Sequence, residues 1–230
     1  GPRPGPRSFV RGPRPSDVWM THPSRSARGR LAEAVLTART PGKRPRVSLG
    51  LGDGAAVTLV CIDGLAGAGK TTLAAQLSED LAAAGRSVAV VHMDDLYEGW
   101  GGLLDVHEKV RSIVEALAVG APVSYRRYDW IRAELAEEVE LGPVDVVILE
   151  GCGSAPPLVD EAATLTIFVT APDDLRLARG LSRDGDGLRE QWLAFMRDER
   201  TLVLRDGADV RADVVLDESG ALLRWGAVNV

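Results

Sequence analysis

The residues with the plainest chemistry are Gly64-Leu65-Ala66-Gly67-Ala68-Gly69-Lys70-Thr71-Thr72. They fit the spacing G-x-x-x-x-G-K-[ST]. In that pattern glycines let backbone N–H groups close around phosphate oxygens, the lysine reaches the β- and γ-phosphates, and the following hydroxyl serves Mg²⁺. Gly64, Ala66, Gly67, Ala68, Gly69, Lys70, Thr71 and Thr72 are therefore the expected ATP-binding positions, with Thr71 also a metal contact. An apolar run, Val57-Thr58-Leu59-Val60-Cys61-Ile62-Asp63, enters the loop, and Leu73 and Leu77 leave it at helical spacing. The loop should thus cap a helix N-terminus, where the dipole favours anions.

Phosphoryl transfer further asks for a group that orients or deprotonates the acceptor, a metal site, and cations for developing charge. Asp94 and Asp95, at the end of a second apolar run, are both candidates for the base, and adjacent carboxylates in a half-buried cleft push one pKa upward. On an extended strand their side chains would point to opposite faces, so one of them should face the nucleotide. Glu150 ends a third apolar run and can hold Mg²⁺ or one of its waters; otherwise it is an acid capping the next loop. Arg176, Arg179 and Arg183 share one helix face. Arg176 reads as a surface residue, whereas Arg179 and Arg183 read equally as surface partners of Asp173 and Asp184 or as catalytic contacts to the transferring phosphoryl group. Gly185-Asp186-Gly187 could hinge a short lid.

The elements that must position these groups follow from periodicity. Strands are expected at residues 57–63, 87–93, 144–151, 164–169 and 212–216. Helices are expected at 26–38, after the phosphate loop as far as Gly85, at 106–117, 172–183 and 188–204. Alternation of this kind argues an α/β fold, a parallel sheet with helices on both faces. Its consecutive apolar strands fit burial on both sides, and ligands bind at their carboxyl ends. The cluster Tyr125-Arg126-Arg127-Tyr128-Asp129-Trp130 lies between the 106–117 helix and residues 131–139.

The 230 residues suffice for one domain plus an extension. No apolar run approaches the ~20 residues that span a bilayer, and no apolar signal-peptide core begins the chain, so a cytoplasmic protein without a membrane partner is expected. Cys61 and Cys152 read as reduced core residues. The net charge of −6 hides an asymmetry: residues 1–46 hold eleven Lys and Arg against two acids, leaving sixteen basic and thirty-one acidic residues beyond them. A basic arm can touch nucleic acid, but this one is Pro/Gly-rich with little apolar surface, so nucleic acid is not the expected partner. Met20 is an expected natural start.

Together, Asp63 to Thr72, His92-Met93-Asp94-Asp95-Leu96-Tyr97, Tyr128-Asp129-Trp130, Ile148-Leu149-Glu150-Gly151 and the arginine helix through Asp184 resemble the ordered motifs of the uridine kinase family of P-loop kinases. The resemblance implies a P-loop three-layer sandwich with a five-stranded parallel sheet in the order 2-3-1-4-5. The resemblance runs from about Val57 to Asp217, so a kinase domain is expected at residues 47–230, preceded by the basic Pro/Gly/Arg-rich extension with a short helix that composition marks at 1–46. It places the base on Asp94, pocket tyrosines on Tyr97 and Tyr128, the Walker B acid on Glu150 and phosphate contacts on the lid arginines. The family's Asn-Phe-Asp-His-Pro segment is replaced by Glu98-Gly99-Trp100-Gly101-Gly102, and its pyrimidine-reading histidine by Ile131-Arg132-Ala133, which puts uridine and cytidine in doubt. The replacement pocket would comprise Trp100, Tyr125, Tyr128 and Trp130, whose rings can stack on a flat acceptor, with Asp95 and Tyr97 beside them and Arg126, Arg127 and Arg132, which can hold an anionic one; equally, Trp100 and Trp130 read as cover for the hydrophobic core. The expected activity is ATP- and Mg²⁺-dependent phosphorylation of a hydroxyl on a nucleoside-like or other small metabolite; the alternative is a nucleotide-dependent regulator or slow NTPase.

Overall fold

The computed structural model describes residues 27–37 and 57–226. Its centre is β1 (Thr58–Gly64), whose residues alternate between two apolar layers. Leu59 and Cys61 face a core formed with α3 (His107–Val119) and α5 (Arg189–Asp206). Val60 and Ile62 face a second core formed with α1 (Ala27–Thr37) and α2 (Lys70–Ala83). A strand covered on both sides has no position for polar alternation, which is why its sequence reads as one apolar run.

Around β1 lie β2 (Val88–His92), β5 (Val146–Glu150), β6 (Leu165–Val169), β7 (Val214–Leu216) and β8 (Leu222–Trp225) in the order β2-β5-β1-β6-β7-β8. This corrects the expected sheet: it has six strands, not five in the order 2-3-1-4-5. β8 turns back antiparallel to β7 and closes the edge, a short return that carries no long apolar run to signal it. Numbering also shifts because β3 (Val123–Asp129) and β4 (Glu134–Leu141) form a separate antiparallel hairpin. Their charged, exposed faces lack strict hydrophobic alternation.

Helix α1 packs Leu31 and Val35 into the second core, and Arg28 pairs with Asp80 of α2. Burial of one Leu or Val contributes on the order of 1.5–3 kcal/mol, against roughly 0–1 kcal/mol for a part-exposed ion pair, so packing holds this helix. Helix α4 (Asp173–Asp184) follows β6 and packs across α5. The close approach depends on Gly180, where an added Cβ would stand 2.4 Å from the Trp192 indole. A four-residue helix, α6 (Ala208–Arg211), leads into β7. Among the described residues no helix is long and apolar enough to cross a membrane.

Candidate active site

Parallel register sets the site. His92, Glu150 and Ile62 are matched across β2, β5 and β1, so the carboxyl ends of three neighbouring strands finish at one level. There β1 runs into the phosphate loop, and the sheet edge opens on a cleft of about 1020 Å³ lined by the loop from Ala66 to Thr72, both aspartates, Glu150, Arg179 and Arg183. The loop has backbone conformations that only glycine adopts freely, with φ +76° at Gly67 and +104° at Gly69. A Cβ on Gly64, at the loop's entry, would stand 2.1 Å from the Val169 carbonyl oxygen.

Lys70 starts α2, and its Nζ donates to the Leu65 carbonyl at 2.8 Å while lying 3.5 Å from Cys152 Sγ. Burial alone would depress the Lys70 pKa, but nearby negative charge, including the carboxylates of Glu199, Glu150 and Asp63, outweighs it and raises the pKa, so the ammonium stays charged. Burial also pushes the Cys152 thiol well up, leaving it a neutral donor to Glu199 Oε1 at 3.2 Å. Thr71 Oγ1 donates to Glu150 Oε1 at 3.1 Å, which brings together the two positions expected at the metal. His92 Nδ1 lies 2.5 Å from the same carboxylate oxygen, and that contact raises the His92 pKa. These are oxygen donors, and among the described residues no group of three or more His, Cys, Asp or Glu could hold a metal. That sparse donor set fits Mg²⁺, which keeps waters and nucleotide oxygens as most of its shell.

Asp94 and Asp95 do not continue an extended strand; Met93–Asp95 form a 3-10 turn, so the strand's alternation does not apply and both aspartates line the cleft. Among the described residues neither side chain has a hydrogen bond or ion pair. Asp94 is open to solvent in the cleft yet surrounded by its walls. The enclosure raises its pKa; Lys70 and Arg183 oppose the rise, and Glu150 and Asp95 reinforce it. Burial raises Asp95 as well, against the pull of His92 and Arg127.

The expected acceptor residues divide. Trp100 and Trp130 wall the cleft in an edge-to-face pair 5.7 Å between centroids, and the Trp130 indole N–H donates to the Asp94 carbonyl at 2.9 Å. Tyr97 is a buried part of that wall, with its hydroxyl donating to the Cys152 carbonyl. Tyr128 stands behind Trp130 at 5.4 Å, and the structure places neither it nor Arg132 in the cleft lining. Arg132 is exposed on the turn between β3 and β4 beside Ile131, which is 98% exposed. Arg126 donates to the Leu135 and Ala136 carbonyls and Arg127 to Glu137, so the cations expected to hold an anionic acceptor are committed within the hairpin.

The arginine helix also differs from its sequence reading. Arg176, expected on the surface, is 2% exposed: its guanidinium donates to the Ala66 carbonyl at 2.9 Å, to Glu199 at 2.9 Å and to Asp173 at 2.7 Å. Glu199 also accepts from the Ala66 N–H, so the two residues hold both ends of one phosphate-loop residue. Arg179 donates to the Gly67 carbonyl at 3.0 Å. Arg183 pairs with Asp184 and stands over the Trp192 ring at 5.7 Å. Glu199 was missed because no local motif contains it. A signal did exist: Trp192, Phe195, Met196, Glu199 and Leu202 share the buried face of α5, and an acid on an apolar stripe must have a partner. His92, without ligand spacing, became visible only through strand register.

No family model and no curated protein matches the chain. Solved structures match its α/β fold, a mostly parallel central sheet with helices on both faces. One, described as a possible uridine kinase from Bacillus stearothermophilus, is 22% identical with a TM-score of 0.58, covering 83% of this chain and 97% of its own. A candidate fructose transport system kinase from Silicibacter sp. TM1040 is 23% identical with a TM-score of 0.55, covering 77% and 95%. D-glycerate 3-kinase from Cryptococcus neoformans is 14% identical with a TM-score of 0.56, covering 87% and 99%. At such identities the likeness is one of fold.

Proposed function

We propose that the protein is an ATP- and Mg²⁺-dependent kinase that transfers the γ-phosphate to a hydroxyl of a small organic molecule. The observation that carries this reading is Asp94, a carboxylate without a side-chain partner among the described residues, in the same cleft as Lys70, Thr71 and Glu150. A raised pKa suits a general base, because it increases the affinity for the proton being removed. The cleft volume of about 1020 Å³ stands at the top of the roughly 300–1,000 Å³ range of single-ligand pockets, which leaves room for an acceptor beside a nucleotide. The three similar structures carry kinase names, which agrees with this reading.

In the proposed reaction Asp94 takes the acceptor's hydroxyl proton, the acceptor oxygen bonds to the γ-phosphorus, and the bond from that phosphorus to the β–γ bridging oxygen breaks to leave ADP. Lys70 and the loop N–H groups hold the β- and γ-phosphates, and Arg179 and Arg183 are placed to offset charge on the transferring group. Thr71 and Glu150 would hold Mg²⁺, which when bound neutralises phosphate charge. The test is ADP release across a panel of hydroxyl compounds, with product mass. Acceptor-dependent ADP and a product heavier by one phosphoryl group are expected. ADP with free phosphate, whatever the acceptor, would instead make the protein a slow NTPase.

A further inference from the structure

The part of the cleft beyond Asp94 combines aromatic faces with carboxylates, while the cations of the cleft lining are held elsewhere: Lys70 and Arg179 on carbonyls of the Gly64–Thr72 loop, and Arg183 on Asp184. Trp100 sits at its centre, 5.7 Å from Trp130, 6.1 Å from Trp192 and 5.9 Å from Phe195, all in edge-to-face contact. Such ring walls accept either a flat apolar body or a cation, since the negative face of an indole attracts positive charge. The nearby side-chain charges select between these. Arg183 is paired with Asp184, Arg179 with the Gly67 carbonyl, and the hairpin arginines with their own strands. An anionic acceptor would meet Asp94 and Asp95, with Lys70, Arg179 and Arg183 given over to the phosphates in the proposed reaction. A neutral acceptor would leave Asp95, half-buried and without a hydrogen bond or ion pair among the described residues, with no direct partner in the cleft.

We infer that the acceptor is a hydroxyl compound with a protonated amine on a ring, the hydroxyl directed to Asp94 and the ammonium held by Asp95 and the indole wall. The inference rests on the kinase reading and names its substrate class. The two aspartates then have separate tasks: Asp94 takes the hydroxyl proton, and Asp95 keeps its charge to pair with an ammonium that remains protonated throughout. The ring body lies against the Trp100 and Trp130 faces, so orientation of the hydroxyl follows from two anchors.

The test uses three ring compounds of one skeleton as their trans vicinal isomers: aminocyclohexanol, its methyl isostere methylcyclohexanol, and the carboxylate hydroxycyclohexanecarboxylate. Binding is followed by indole fluorescence in the full chain saturated with Mg²⁺ and a non-hydrolysable ATP analogue. The amine should bind about tenfold more tightly than the methyl compound, as one charge-assisted contact would give, and the carboxylate more weakly still. In Asp95→Asn the preference for the amine should disappear while the ATP analogue binds as before, and Trp130→Leu should weaken binding of all ring compounds. Equal binding of the three, no detectable binding of the amine, or an amine preference that survives Asp95→Asn overturns the inference. The kinase reading is reported separately by the nucleotide titration and by ADP release: a protein that phosphorylates only neutral or anionic acceptors keeps that reading and loses this one.

Discussion

The two halves of the cleft are built in opposite ways. On the donor side nearly every polar group has a fixed partner: Lys70 on the Leu65 carbonyl, Thr71 on Glu150, and Arg176 and Glu199 on the two ends of Ala66. On the acceptor side the walls are rings in edge contact, and the two aspartates lining the same cleft have no side-chain partner among the described residues. On the kinase reading proposed above, the difference follows from what each side would bind. Phosphate is the same ligand in every nucleotide, so its site can be preorganised with backbone donors. An acceptor must bring its own partners, and groups left unpaired until it arrives are what make the site selective.

The contrast is broken most severely at the residue that joins the halves. Asp94→Asn keeps the shape of the side chain and removes its ability to take a proton, so acceptor-dependent ADP release should fall by about 10²–10⁴-fold, the usual contribution of a general base. Nucleotide affinity, measured by titration with an ATP analogue, should change little because the donor contacts are untouched. Undiminished transfer in this variant would remove Asp94 from the chemistry.

A second variant tests whether the donor side owes its order to distant residues. Glu199→Ala leaves the buried Arg176 guanidinium with Asp173 and the Ala66 carbonyl but without its buried counter-charge. Removing one partner of a buried pair costs about 3–5 kcal/mol, readable as a lower denaturant midpoint, and the loss should be accompanied by weaker nucleotide binding. Arg176→Met combined with Glu199→Leu should recover much of the stability but not the nucleotide affinity, because apolar side chains cannot hold Ala66. Full recovery of both would mean that the loop needs no such clamp.

These residues also mark how far the sequence alone could be read. The turn from β1 into α2 and the strand ending at Glu150 are legible as structure because each depends on a few consecutive residues and on strands covered on both faces. Arg176 was misread because its fate is decided 23 positions away, by an acid on the buried face of α5. The same locality limit applies to the acceptor side. Trp130 reaches the cleft through the β3–β4 hairpin, with a register shift between Arg126 and Tyr128, while Arg132, two residues further along, lies outside it. Residue types there supplied candidates, but turn geometry decides which side chains line the cleft. β8 had too short a run to announce itself, and only its pairing with β7 makes it a strand.

The finest test concerns how charge on one side sets the proton affinity of the other. Enclosure by the cleft raises the Asp94 pKa; Glu150 and Asp95 push it the same way, and Lys70 and Arg183 push against them. A general base acts when deprotonated, so kcat/KM with any accepted compound should fall as pH drops through that raised pKa, giving an acid limb above the ordinary carboxylate range. Asp95→Asn removes a nearby negative charge, lowers the Asp94 pKa and should move the limb to lower pH. Arg183→Gln removes a positive charge and should move it to higher pH. The shifts are smaller than either loss above, but their opposite signs are diagnostic: a structural disturbance would lower the plateau without displacing the limb in two directions. Shifts of the same sign, or none, would mean that a group other than Asp94 governs the limb. Opposite shifts would show that Asp94 senses phosphate-side and acceptor-side charge together, as a base between two differently built halves must.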